Sequence, residues 1–541
     1  MFHSTPLRRI GCAVVFALLT QTLAAESPAL HEQVDALIAA QAGGPLAAQS
    51  SDEEFVRRIY LDLAGRIPSV DEARAFFDST AGDKREQLVD HLLASDEYPR
   101  RMSALFNVML MERLGEHEEW TSFLETSFAA NKPWDQLARE IAHPDAAQEA
   151  TRGAAFFISK RLEKYGQNPT DYPGLVRDVG RMFLGVDVQC AQCHDHLFVD
   201  DYKQVDYQGL FAFVGQTFIR RDVSFPAVGE NLVTKKVDFK SVFVMEPRQT
   251  GPRLPGGQEI EIPVFPKGEE YAAPPDKKTR TPGVPKFSPL RALSEQLVEH
   301  PLFRRNIANR LWWAMMGTGL VYPLDLHHSD NPPTHPELLQ LLGDELAAHK
   351  YDMRWFVREL VLSETYQRSS LRPATREPIS PSSYRVALEK PLSAEQLLRA
   401  MLQATGNIAL DVVPSEKKEP ANTTDIADLR ARFVKAFANP PREPEVEVNP
   451  TVKAALFLLN DEVVLSWLAP QAGNLAERLI PLDNNDRLAE ELYLSVLTRF
   501  PSDEETQELT EFLQSHDDNR QRAVGELMWA LLASTEFCVN H

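Results

Sequence analysis

Cysteine is close to absent. Four occur in 541 residues, too few for a disulfide-built scaffold. Basic residues are also short: 57 Lys and Arg stand against 78 Asp and Glu, a formal charge of −21. That balance argues against nucleic acid, or an anionic membrane surface, as a partner held by bulk electrostatics. Neutral or cationic partners stay compatible with it. There is no Gly-rich phosphate loop, nucleophile elbow or His-Glu-x-x-His helix, so no motif assigns a catalytic residue. What is present, 43% hydrophobic and 25% charged residues, is the balance of a soluble globular protein. The length allows roughly three or four domains of about 150 residues each.

One apolar run stands out, at the start. Arg8 and Arg9 precede Ile10 to Leu23, and Ala24-Ala25-Glu26 offers small residues for cleavage. The run is short and charged on one side only, the pattern of a signal peptide over residues 1–25 rather than of a membrane span. The expectation is an exported protein, periplasmic or at the cell surface, with no stable membrane insertion once the signal is removed. Cys12 leaves with the signal. Cys190, Cys193 and Cys538 remain.

Periodicity predicts a mainly α protein: two helical domains joined by a small β-containing, Pro/Gly-rich region. In residues 26–215, Phe55, Ile59, Leu63 and Phe76, Leu88, Leu92 fall at spacings that a helix places on one face. Ser69 and Glu72 form a capping box at a helix start. Residues 216–287 differ in kind. Gly251-Pro252, Pro255-Gly256-Gly257, Pro274-Pro275 and Pro282-Gly283 separate short alternating runs at Val237–Val244 and Glu259–Phe265, read as strands. Helices return over 288–541, among them Phe303–Met316, Pro336–His349 and Met353–Ser363. A polar, Pro-rich surface excursion is expected within Lys417–Pro450.

One helical module occurs twice. Tyr60-Leu61, Arg66, Pro68-Ser69 and Glu72 match Tyr493-Leu494, Arg499, Pro501-Ser502 and Glu505 at identical spacing, and Leu92–Tyr98 matches Leu531–Phe537. Leu360–Tyr366 echoes the closing part. Two copies are too few for a solenoid; a scaffold hairpin is the plain reading, and docking surfaces or mutual packing are the alternatives.

The chemistry concentrates in Val188–His196. Cys190-x-x-Cys193-His194 is the pattern by which haem c is attached: two thiols add to the porphyrin vinyl groups and the adjacent imidazole ligates iron. Cys190, Cys193 and His194 are therefore the candidate cofactor residues. The alternative is zinc or another metal, with His194, His196 and a distant residue such as His335 as ligands beside the thiols. A local disulfide, or thiols with no cofactor, is the plain alternative. An electron carrier also wants a sixth ligand, for which Met182, Met315, Met316, His327, His328 and His335 are the candidates. Asp195, Asp200 or Asp201 could orient an imidazole, although solvated loop carboxylates are the simpler reading. His327–Glu337 reads as a turn leading into a helix, with Thr334 as a candidate N-cap. Cys538 is expected to be a buried single thiol.

Phe55–Pro68 together with Cys190–His196 resembles the planctomycete cytochrome-c-associated domain of unknown function, family 1549. Asn306–Trp312, Asn331–Leu339, Ala455–Asn460 and Ser534–His541 are similar to its companion, family 1553. The resemblance implies an exported bacterial protein, often found with cytochrome-c-type or carbohydrate-binding modules, and carries no agreed activity. With no separate cytochrome domain upstream in this sequence, any haem is expected to be held by the chain's own motif. The resulting expectation is a redox or electron-transfer protein that works with a redox partner protein or a polysaccharide-degrading system. The alternatives are a metal-stabilised extracytoplasmic scaffold or binding module, and a metal-dependent hydrolase using His194, His196 and nearby aspartates.

Overall fold

The computed structural model describes Met1 and residues 28–375, 377–411, 426–444 and 452–541. The expected signal peptide lies outside the described residues, as do parts of the expected excursion at 417–450. Among the described residues no helix is long and apolar enough to cross a membrane.

The protein is mainly helical, and its strands form four two-stranded antiparallel pairs. Three of these lie between the helical regions: Thr217–Ile219 with Val228–Glu230, Val237–Lys240 with Pro247–Thr250, and Tyr271–Ala273 with Val284–Pro285. The expected strand at Glu259–Phe265 does not form. Pro263 and Pro266 cannot donate to a ladder, and the stretch is tied instead by Ile260 N–H donating to the Pro252 carbonyl at 2.8 Å. The fourth pair, Lys390–Pro391 with Val539–Asn540, joins distant parts of the chain.

Two hydrophobic cores result. The first runs from Leu30 to Tyr384 and includes the helices Pro301–Met316, Pro336–Ala348 and Met353–Leu362. The second gathers residues from Leu392 to Phe537, with Leu61 and Ile67 from the N-terminal part.

The helix Asp52–Leu63 sits between them. Ser51 accepts the Glu54 N–H at 3.2 Å, and Asp52, Glu53 and Glu54 place negative charge in the first turn, where the helix dipole favours it. Every residue from Phe55 to Leu63 is buried, so its polar side chains must find partners inside. Arg57 donates to the Val496 and Phe537 carbonyls at 3.2 and 2.9 Å. Arg58 donates to the Tyr366 and Arg368 carbonyls at 2.6 and 2.9 Å. Asp62 accepts from Tyr366 Oη at 2.8 Å, from Lys390 Nζ at 2.7 and 2.8 Å, and from Asn540 Nδ2 at 2.9 Å.

The repeated module folds twice into one geometry. Arg66 grips Glu72 and Glu97 with four side-chain bonds of 2.7–2.9 Å. Arg499 grips Glu505 and Glu536 with four of 2.6–3.0 Å. Each guanidinium lies 5.2 Å from a tyrosine ring centroid, Tyr60 in one copy and Tyr493 in the other. Ser69 with Glu72, and Ser502 with Glu505, close matching capping boxes. The copies touch: Phe77 and Phe500 stand 5.8 Å apart, and Arg74 pairs with Glu490 at 2.6 Å.

Two measurements follow from these contacts. Asp62→Ala leaves the Lys390 ammonium enclosed without its carboxylate, and is expected to lower unfolding stability by about 3–5 kcal/mol in denaturant titration. Adding Lys390→Met should restore part of that loss, and no loss in the single variant would refute the clamp. The second measurement is a pH series. Hydrogen bonds from Arg499 hold the Glu505 carboxyl at about 2, below its usual 4.5. A lowered folded-state pKa contributes stability above the usual value, and that stability fades as pH falls toward the folded one. The melting-temperature gap between wild type and Arg499→Gln should therefore be widest above pH 5 and narrow toward about pH 2.

Candidate functional site

The motif follows a helix stopped by sterics. Asp171 caps Tyr172–Val179 by accepting the Gly174 N–H at 2.9 Å, and the helix runs on as a wider turn over Gly180–Leu184. It ends at Gly185, whose φ of +69° suits glycine. A Cβ there would also meet His327 Cδ2 at 2.5 Å. Beyond it the chain is pinned to the opposite segment, with Val186 bridged to Leu326 and Asp187 N–H donating to the Asp325 carbonyl at 3.0 Å.

A single 3-10 turn, Gln189–Gln192, then presents the motif. Ala191 points inward, while Cys190 and Cys193 are exposed free thiols. The turn is held through its backbone. Gln204 and Gln208 side chains each donate to the Gln192 carbonyl at 3.3 Å, and Val242 N–H donates to the Cys193 carbonyl at 3.1 Å. The Asp195 carboxylate accepts Gln204 N–H at 2.8 Å, at the start of the Gln204–Val214 helix.

The two motif histidines have different tasks. His194 Nδ1 lies 2.6 Å from the Asp195 carbonyl, which can only accept. Nδ1 is the donor in that contact, and in the neutral tautomer the lone pair then lies on Nε2, as a ligating histidine needs. His196 Nδ1 accepts the Phe198 and Val199 N–H groups at 3.2 and 2.9 Å. Its proton is then on Nε2, and the ring serves to close the loop.

Apolar side chains are exposed beside the motif. The tip between Val237–Lys240 and Pro247–Thr250 carries Val242, Phe243, Val244 and Met245, with Phe243 67% and Met245 63% exposed. Phe243 lies 4.7 Å from the His194 ring. Leu197 and Phe198, the latter 84% exposed, flank the motif on its C-terminal side. Four successive apolar residues at a hairpin tip, where polar turn residues belong, are the sequence signal for this exposure, and composition alone passes over it.

The other sequence-predicted residues are dispersed. Met182, Met315 and Met316 are packed in the first core. His335 is buried, with Nδ1 3.1 Å from Thr334 Oγ1 and its ring 5.5 Å from Tyr384. It occupies the N-cap position expected for Thr334. His328 reaches the motif through rings, standing 5.4 Å from Tyr202, which is 5.9 Å from His196. Asp201 accepts the Ser329 N–H at 2.5 Å, and Asp200 is exposed, 3.6 Å from Lys203. Cys538 is partly buried, and burial pushes its thiol pKa up. Among the described residues no group of three or more His, Cys, Asp or Glu side chains is placed to hold a metal ion.

Residues 33–218 match the model of PSCyt2, described as a protein of unknown function (DUF1549), and residues 292–513 match PSD1, a protein of unknown function (DUF1553). No curated protein and no solved structure matches the chain.

Thiol exposure gives a direct check. In protein purified without haem, iodoacetamide should label Cys190 and Cys193 at least about tenfold faster than Cys538, because alkylation needs an accessible thiolate. Peptide mass mapping reads the order, and Cys538 reacting first would contradict the site as described.

Proposed function

This chain belongs to the PSCyt2 and PSD1 families, and we propose that it is an exported redox protein that carries one covalently attached haem c at Cys190, Cys193 and His194. The observation that carries the proposal is a conjunction at one surface turn. Two free exposed thiols stand beside an imidazole whose Nδ1 faces the Asp195 carbonyl, and exposed apolar side chains lie next to that imidazole, Phe243 at 4.7 Å from its ring. A porphyrin needs that combination: sulfurs that reach its vinyl groups, a neutral imidazole for iron, and apolar surface against its faces.

The chain's residues divide the work. Cys190 and Cys193 each contribute a sulfur to a thioether. His194 ligates through Nε2, and the Asp195 carbonyl fixes its tautomer. Phe243 steadies the imidazole ring, and the Val242–Met245 tip and Phe198 offer cover against water. Iron held in this way supplies one-electron transfer. The partner is a redox protein outside the cytoplasm, in a setting such as polysaccharide breakdown. Its docking surface would be neutral or basic, given the charge of −21.

Production with a cytochrome c maturation system is the test. The expected result is a Soret band and a chain mass raised by one haem, with the covalent link weakened in Cys190→Ala or Cys193→Ala and lost in the double variant. His194→Ala should keep attachment but shift the visible spectrum. Colourless protein of unmodified mass would end the proposal.

A further inference from the structure

In the haem reading His194 serves one face of the ring. A ligand for the opposite face has to approach from a second element, and one such element is fixed against the motif. The hairpin of Val237–Lys240 and Pro247–Thr250 closes through the loop 241–246. Its end is tied to the motif turn twice. Gln204 Nε2 donates to the Gln192 carbonyl at 3.3 Å and to the Lys240 carbonyl at 3.1 Å, so one side-chain amide holds both segments. Val242 N–H donates to the Cys193 carbonyl at 3.1 Å, and the Phe243 ring stands 4.7 Å from that of His194.

Met245 sits in the same loop and is 63% exposed. That exposure is out of keeping with the other methionines. Of eleven in the chain, seven lie in or against the first core and two lie in the second. Met1 begins the expected signal peptide. Met245 remains, with its side chain outside both cores. It is three residues beyond Val242, a span of at most about 11 Å, and its side chain adds three rotatable bonds. A thioether sulfur is a neutral, soft ligand of the kind haem iron accepts. Its loop neighbours Val242, Phe243 and Val244 are apolar and exposed.

The imidazoles near the motif are committed or enclosed. His196 Nδ1 accepts the Phe198 and Val199 N–H groups, and its ring belongs to the same loop as His194. His327 and His335 are 5% and 4% exposed. His328 packs on Tyr202, with ring centroids 5.4 Å apart.

We propose that Met245 is the second axial ligand of the haem, opposite His194. This role rests on haem attachment at Cys190 and Cys193. It gives the exposed tip a specific task, because a thioether opposite an imidazole raises the reduction potential above that of a bis-histidine haem.

The test uses the full chain matured with a cytochrome c assembly system, as wild type, Met245→Ala and Met245→His. Mass reports attachment, and so judges the haem reading separately. Haem-bearing wild type should be low-spin by electron paramagnetic resonance when oxidised. When reduced, with methyl-labelled methionine, it should show one methyl resonance thrown far upfield by the ring current of the haem. Met245→Ala should keep the haem mass but lose both signatures. Met245→His should regain the low-spin signal, without the methyl resonance and at a lower midpoint potential than wild type. A merely structural role for Met245 would move none of these. The proposal is overturned if haem-bearing wild type is high-spin or lacks the shifted methyl, or if Met245→Ala retains it. Unmodified mass in wild type would end the haem reading, and this ligand with it.

Discussion

The Asp62 carboxylate is the point on which the architecture turns. It is buried on the helix between the two cores, and its three partners come from positions 366, 390 and 540. An enclosed carboxylate and an enclosed ammonium are each costly to desolvate, and their attraction offsets that only when geometry is good and remaining valences are filled. Here they are filled: Lys390 Nζ also donates to the Ala314 and Met315 carbonyls at 3.1 and 2.9 Å. Burial pulls the Lys390 pKa down while Asp62 pulls it up. A mis-registered arrangement of such a cluster would strand a buried charge, which is costly. The beneficiary is the pairing of Lys390–Pro391 with Val539–Asn540, two-residue strands too short to hold themselves.

The same helix explains why a chain of this length closes on itself. Arg57 and Arg58 both donate to backbone carbonyls, at Val496, Phe537, Tyr366 and Arg368. A guanidinium presents several donors in a fixed fork, so one side chain can terminate the ends of two elements at once. Carbonyls at helix ends are the groups left without partners inside a helix, and these arginines reach them from another part of the fold. The C-terminal module is thereby docked on the N-terminal one, and Phe77 against Phe500 continues the contact outside the polar centre.

Much of this was legible in the sequence where the interaction is local. The repeat could be aligned because Arg66 and Glu72, or Arg499 and Glu505, are six apart and must stay so to meet across one turn. The capping boxes and the helix starts depend on four residues each. The Cys190–His194 spacing was legible for a similar reason, since its two thiols and imidazole lie within five positions. Long-range pairing was not legible. Nothing near Asp62 points to Lys390 or Asn540, and the helices from Pro289 to Leu362 join the first core through contacts hundreds of residues away. The strand expected at Glu259–Phe265 failed because its prolines outweigh its alternation. The free lone pair on His194 came from a carbonyl orientation, which composition does not encode.

The motif's placement bears on what the fold requires of a cofactor. In a structural metal site the ligands hold the segment together, and binding free energy becomes folding free energy. At Gln189–Gln192 the restraint comes from protein groups instead: Gln204, Gln208, Val242 and the Asp195 carboxylate all engage the turn or its flank. Ala191 anchors it in the first core, while the sulfurs point away. The turn is thus a preformed ledge rather than a segment waiting to be ordered, so the proposed attachment would carry no ordering cost there. The exposed apolar tip at Val242–Met245 would add to the driving force of the proposed attachment if it were covered by it. A ledge held by protein groups, with an apolar tip beside it, is the setting that the proposed haem, flat and linked through its edge, would need.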